Sequence, residues 1–142
     1  MSDRYFIDTN IFVYTFDNRS KRKQKISRDI VADSLSSNEG IISYQVVQEF
    51  LNVATRKFKT PLNIQDSKLY LTKILLPICE VYPSKDLFEL GLEIQFTTQY
   101  SFYDSMIIAS AINGKCKKLY TEDLKNGHTI QGVTIVNPLN PS

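Results

Sequence analysis

The sequence predicts an α/β fold: a three-layer α/β/α sandwich around a mainly parallel central sheet. Three observations predict it. Apolar runs of strand length alternate with longer segments of helical period. The runs Tyr5-Phe6-Ile7 and Gly40-Ile41-Ile42 are apolar throughout, as parallel strands covered on both faces are. The chain has 142 residues and carries neither a repeat nor a linker, so residues 1–142 form one domain, large enough to bury a core without disulfides.

The elements follow in order. Tyr5-Phe6-Ile7 is the first strand, Asp8-Thr9-Asn10 interrupts it, and Ile11 to Phe16 makes a helical turn or two. Ser20 caps a second helix running to about Leu35, with Ile26, Ile30, Val31 and Leu35 facing inward. After the strand Gly40-Ile41-Ile42, Ser43 caps a helix that ends near Phe58, with Val46, Val47, Phe50, Leu51, Ala54 and Phe58 at helical spacing. Asn63 to Leu76 is a further helix, stopped by Pro77, and Ile78 to Tyr82 is a strand. Pro83-Ser84 opens a helix carrying Leu87, Leu90, Gly91 and Ile94. Ser101 caps the next helix, through Ile112, with Gly114 as its stop. Lys118-Leu119-Tyr120 and Val133 to Val136 complete the strands. Core packing is expected to account for the apolar helix faces.

Composition narrows the function classes. No apolar stretch reaches the ~18 residues of a membrane span, and the start Met1-Ser2-Asp3-Arg4 precedes too short an apolar run for a signal peptide. A cytoplasmic protein is expected. Cys79 and Cys116, without CxxC spacing, read as reduced core thiols. The net charge of +2 is uninformative, but Arg19, Lys21, Arg22, Lys23, Lys25 and Arg28 crowd one segment. They are either the solvated face of a helix or a contact for nucleic-acid phosphates.

Four acids stand out by position. Asp8 ends an apolar strand and Asp123 lies just past another, and ligands of open parallel sheets bind at the carboxyl ends of strands. Glu49 projects about 60° from Val46 and about 40° from Val53, at the edge of a buried helix face. Asp104 shares its face with Ile107, Ile108 and Ala111, and acids are seldom buried unless paired or metal-bound. Each acid has an ordinary explanation taken singly. Asp104 could complete a capping box with Ser101, Glu49 could be a solvated edge residue, Asp8-Thr9-Asn10 could be a local turn, and Asp123 a turn acid before Gly127. Together they favour one site.

Such a site needs a counter-ion. Two carboxylates about 4 Å apart repel by about 1 kcal/mol in water and about 4 kcal/mol at an effective dielectric of about 20. Oxygen ligands without convergent His or Cys point to Mg²⁺ or Mn²⁺, an ion that polarises a phosphoryl oxygen and activates water. Thr9, Asn10 and Thr121 are placed to orient water or a phosphate.

In this order and context, Phe6-Ile7-Asp8-Thr9-Asn10, Val46-Val47-Gln48-Glu49-Phe50, Phe102-Tyr103-Asp104-Ser105-Met106-Ile107-Ile108-Ala109 and Leu119-Tyr120-Thr121-Glu122-Asp123-Leu124 resemble the PIN-domain ribonucleases, and most closely the VapC-type toxins of toxin–antitoxin pairs. The resemblance implies that Asp8, Glu49, Asp104 and Asp123 form the catalytic acidic cluster. It makes Asp8, Asp104 and Asp123 the direct or water-bridged metal ligands and gives Glu49 an assisting role in orienting water. Thr121 matches the hydroxyl two positions before the last acid, and Glu122 could exchange with Asp123 by a one-residue slip. It further implies an RNA substrate, a homodimer, and a cognate antitoxin whose C-terminal segment occupies the acidic groove.

Rival readings are weaker. An aspartyl phosphatase would want Asp where Asn10 stands, and an aspartic protease would want Asp-Thr-Gly on an all-β scaffold. A non-catalytic PIN-like module that binds RNA or protein is the alternative of a different class, against which all four acids argue. His128, the only histidine, is expected at the surface, and Tyr5, Tyr14 and Tyr120, in apolar runs, in the core.

Overall fold

A computed structural model describes residues 3–140. Met1-Ser2 of the start analysed for a signal peptide, and the last two residues of the domain, lie outside the described residues. Six strands form one sheet in the order β3-β2-β1-β4-β6-β5, with β1 Tyr5–Ile7, β2 Gly40–Ser43, β3 Cys79–Val81, β4 Lys118–Tyr120, β5 Thr129–Ile130 and β6 Val133–Val136. All pairings are parallel except β5 with β6. The helices are α1 Thr9–Tyr14, α2 Lys21–Ser37, α3 Tyr44–Arg56, α4 Ile64–Tyr70, α5 Leu76–Ile78, α6 Lys85–Thr98 and α7 Phe102–Asn113. The chain therefore builds the α/β fold with a mainly parallel central sheet that the periodicity predicts. Among the described residues no helix is long and apolar enough to cross a membrane.

The central strands β1 and β2 are buried at every position, which is why they read as unbroken apolar runs. Helix starts fall where side chains can satisfy free N–H groups. Ser20 accepts from Lys23 N, Ser43 from Val46 N, Asn63 from Asp66 N, Ser84 from Leu87 N and Ser101 from Asp104 N. Gly40 is obligatory for a steric reason. A Cβ there would stand 2.4 Å from Ser34 Cβ and 2.5 Å from the Tyr5 ring.

Four expectations change. Pro77 does not stop its helix: Leu71–Leu75 forms a π-turn, and α5 carries the chain on to Ile78. Pro77 has no N–H to give and its ring crowds the preceding turn, so a widened turn before it accommodates both. The strand β3 accordingly starts at Cys79. Strand β5 is additional, joined to β6 by Gln131-Gly132, both at positive φ (46° and 88°), the conformation of a tight hairpin turn. Finally, core packing does not absorb every apolar face. On α6, Leu87, Gly91 and Ile94 are buried while Phe88, Leu92 and Phe96, spaced by four, remain exposed, Phe96 by 77%.

The topology fixes where a site can form. The chain leaves β1 toward β2 on one side and later returns to β4 on the other, so the carboxyl ends of β1 and β4 flank the switch point of the sheet.

Candidate acidic site at the sheet switch point

Asp8 follows β1 directly and caps α1. Its backbone N–H donates to Tyr120 O (3.0 Å), continuing the β1–β4 ladder. Its side chain is 6% exposed, accepting from Thr9 N (2.7 Å) on Oδ1 and from the fully buried Thr121 hydroxyl (2.8 Å) on Oδ2. The local turn and the functional reading coincide at this residue.

Two of the other acids are tied to Asp8 through shared hydroxyl residues. The Thr9 hydroxyl donates to Glu49 Oε1 (2.7 Å), and Thr121 Oγ1 accepts from Asp123 N (3.1 Å). Asn10 Nδ2 donates to Asp123 Oδ2 (3.0 Å). Gln45 Nε2 links Glu49 Oε2 (3.1 Å) to the carbonyl of Tyr103 (3.2 Å), the residue before Asp104. Asp104 N donates to Ser101, but its half-buried carboxylate has no hydrogen-bond partner among the described residues, so only half of the expected capping box is made.

The electrostatics link Asp8 with Glu49 and Asp123, and Asp104 with Asp123. Burial pushes the Asp8 carboxyl up to about 7, against the opposing bonds from Thr121 and Thr9, with Glu49 and Asp123 adding to the rise. Asp123 is also raised, first by burial and then, against the bond from Asn10, by Asp104, Glu122 and Glu49. Thr9, Asn10, Glu49, Asn52, Glu122 and Asp123 help to line an open groove of about 480 Å³ above these groups. Asp8 and Asp104 do not line it; Asp8 lies buried beneath.

The set suits a hard cation in its chemistry. Its donors are carboxylate, amide and hydroxyl oxygens, two of its acids are raised by burial and, secondarily, by neighbouring acids, and Asn10 Oδ1 is buried without a partner. It is not a closed ligand shell: among the described residues no three His, Cys, Asp or Glu are grouped to hold a metal ion. Asp8 and Glu49 each spend both carboxylate oxygens on their hydrogen bonds.

Geometry separates Glu122 from Asp123. Glu122 accepts from the Tyr14 hydroxyl (2.6 Å) and Lys23 Nζ (2.9 Å), whereas Asp123 joins Asn10. Burial lifts the Glu122 carboxyl, but Tyr14 and Lys23 outweigh it and the net shift is downward. Tyr14 is half-buried against the core and also helps to line the groove, while Tyr5 is buried and Tyr120 packs against it at 5.2 Å between ring centroids.

The basic segment divides. Arg19 lines the groove, paired with Asp17 (2.8 Å). Lys23 is held by Glu122, Lys25 by Asp29 (2.9 Å), and Arg28 Nε donates to Thr15 O (3.0 Å). Lys21 and Arg22 are exposed and outside the groove lining. His128 is half-buried, Nδ1 lying 3.1 Å from the Tyr100 hydroxyl, and it does not line the groove. Both cysteines are buried and free, as expected. Composition gave no warning of Gln45 or Asp17; Gln45 could have been found, because it stands four residues before Glu49 on the same helix face.

Comparison with known proteins identifies the family and the fold. The family model described as the PIN domain matches residues 5–126. The chain belongs to the PIN domain family. The PIN domain here superposes on a toxin–antitoxin complex from Klebsiella pneumoniae with a TM-score of 0.66 at 19% identity, covering 94% of this chain and 97% of that one. VapBC2 from Rickettsia felis, bound to a promoter DNA fragment, gives 0.65 at 18% identity, covering 92% and 96%. VapC20 of Mycobacterium tuberculosis, a sarcin–ricin loop cleaving toxin, gives 0.61 at 16% identity, covering 84% and 89%. No curated protein matches the chain by sequence.

The raised acids make a prediction about stability. Asp8 has a higher pKa folded than unfolded, so its contribution is complete below about pH 4 and is lost as pH rises through about 7; Asp123 acts in the same direction. The shift of Asp8 from 3.8 to about 7 corresponds to something on the order of 4 kcal/mol. Asp17 and Glu122, both lowered, act only at more acidic pH. In EDTA the melting temperature should fall between about pH 5 and pH 8, and Asp8→Asn should flatten that fall and melt higher at pH 8. An equally steep fall in the variant would remove Asp8 as its source.

Proposed function

We propose that this PIN domain is a divalent-metal-dependent endoribonuclease, Mg²⁺ or Mn²⁺ being the metal, and the toxin of a toxin–antitoxin pair. The observation that carries the reading is the hydrogen-bonded set at the sheet switch point in which Thr9, Asn10 and Thr121 tie Asp8, Glu49 and Asp123 together, with the charge of Asp104 acting on Asp123. Asp8, Asp104 and Asp123 would hold the metal, with Asn10 Oδ1 a further oxygen beside it. Bound there, the ion supplies Lewis-acid stabilisation of the phosphate and activation of water. Glu49, oriented by Thr9 and Gln45, would orient the attacking water and take its proton; as water adds to phosphorus the bond to the leaving oxygen breaks, and that oxygen takes a proton from solvent. Thr9, Asn10 and Thr121 hold the acids in register.

Among the structural relatives, the Klebsiella structure is a toxin–antitoxin complex and the Mycobacterium protein a toxin that cleaves the sarcin–ricin loop, which supports both the RNA substrate and the antitoxin partner. The antitoxin's C-terminal segment would occupy the acidic groove. A homodimer belongs to the same reading, and the Phe88, Leu92 and Phe96 stripe is an apolar face available for it. Light scattering should give twice the mass of the chain, reduced to the single-chain mass by Phe96→Glu; a single-chain mass for the native protein would remove the dimer.

Purified protein should cleave structured RNA with Mg²⁺ or Mn²⁺ and not in EDTA, with Asp8→Asn slower by at least ~100-fold. Equal cleavage by the variant, or cleavage in EDTA, would refute the metal mechanism; metal-independent RNA binding without cleavage would favour a non-catalytic module.

Of the basic residues, Arg19 is the one placed to meet a phosphate. Arg19→Glu should weaken RNA binding and lower the salt slope by about one or two, while Lys25→Glu should change either much less. Equal effects would make the segment a diffuse field.

A further inference from the structure

Beside the acids, on the far side of Asp123, lies a cluster that the reaction does not use. Glu122 Oε1 accepts from the Tyr14 hydroxyl at 2.6 Å and Oε2 from Lys23 Nζ at 2.9 Å. Lys23 Nζ also lies 3.5 Å from the Tyr14 oxygen and 5.0 Å from its ring centroid. The Lys23 and Glu122 side chains are 29% and 26% exposed. Three elements meet here: the end of α1, the first turn of α2 and the segment after β4.

Lys23 breaks a local rule. Helix α2 opens with Lys21, Arg22 and Lys23 and has no acid in its first turn, although a helix N-terminus disfavours cations. Glu122 supplies the compensation from outside the helix, so the misplaced charge has a tertiary purpose. Each residue of the segment after β4 is then fixed separately. Thr121 is bound to Asp8, Glu122 to α1 and α2, and Asp123 to Asn10. Asp123 is exposed, its backbone N–H held by the Thr121 hydroxyl and its carboxylate by Asn10 alone, and the backbone between those two bonds runs through the anchored Glu122.

We propose that Glu122, clamped by Lys23 and Tyr14, is a positioning residue that holds Asp123 toward the other acids, and that Lys23 serves this clamp and not an RNA phosphate. In its consequence for metal binding the proposal rests on the nuclease reading above; in its geometry it does not. The two roles for Lys23 predict opposite results. In a clamp, Glu122→Ala and Lys23→Met do the same harm. If Lys23 were a phosphate contact, Lys23→Met would weaken RNA binding while Glu122→Ala, freeing the lysine, would strengthen it.

The test measures Mn²⁺ affinity by calorimetry and RNA binding against salt for the full chain carrying Glu122→Ala, Glu122→Gln, Lys23→Met and the Lys23→Met/Glu122→Ala double substitution. Glu122→Ala and Lys23→Met should each weaken Mn²⁺ binding by about tenfold, the double variant no more than either, and RNA binding and its salt slope should stay at the native values. Glu122→Gln, which keeps an acceptor for Tyr14, should recover part of the affinity. A crystal structure of metal-free Glu122→Ala should show the Asn10–Asp123 bond broken. Unchanged Mn²⁺ affinity with only a lower melting temperature, or opposite effects of the two single variants on RNA binding, would overturn the proposal. If the native protein bound no Mn²⁺, the nuclease reading would fail, and an intact Asn10–Asp123 bond in the Glu122→Ala crystal would by itself overturn the positioning role.

Discussion

Ionising a carboxyl buried at the end of β1 works against its burial, and the structure around Asp8 is arranged to make that group tolerable. Thr9 N and the Thr121 hydroxyl each give it a hydrogen bond, and both come from residues fixed by the β1–β4 ladder and the start of α1. Those bonds oppose, but do not cancel, the effect of burial and of Glu49 and Asp123. Burial is the larger cause of that rise and neighbouring negative charge adds to it, an imbalance that the two hydrogen bonds leave standing. The same imbalance recurs at Asp123. The proposed cation site rests on this shared imbalance and not on any single acid.

The same residues do structural and chemical work together. Asp8 is the cap of α1, Thr9 is that helix's first residue and the donor to Glu49, and Ser101 caps α7 where Asp104 begins to face the other acids. Local capping therefore fixes where the acids point and does not compete with the site. Charge is handled in the same divided way at the rim. Glu122 is neutralised by Lys23, leaving Asp123 as the uncompensated acid of that segment.

Local signals in the sequence made the parallel core, the helix starts and the four acids legible. Tyr5-Phe6-Ile7 announces a strand buried on both faces, and Ser20, Ser43, Asn63, Ser84 and Ser101 mark helix starts through their own side chains. Non-local features were hidden. The π-turn ahead of Pro77 accommodates the proline in a way that helical periodicity does not signal, and the β5 hairpin turns on Gln131-Gly132, a weak turn signal without Asn or Asp. The basic segment looks uniform as a string, yet its partners come from Asp17, Asp29 and Glu122, the last of them 99 residues from Lys23. Only the fold could show that Arg19 alone of the six helps to line the groove.

The most direct test of the central claim is anomalous scattering from a crystal of the native protein soaked in Mn²⁺. The account predicts a manganese peak at about 2.0–2.4 Å from carboxylate oxygens of Asp8 and Asp123, with Asp104 bound directly or through water. No peak at the switch point, with Asp8 still held by Thr9 and Thr121 and Asp123 by Asn10, would contradict it.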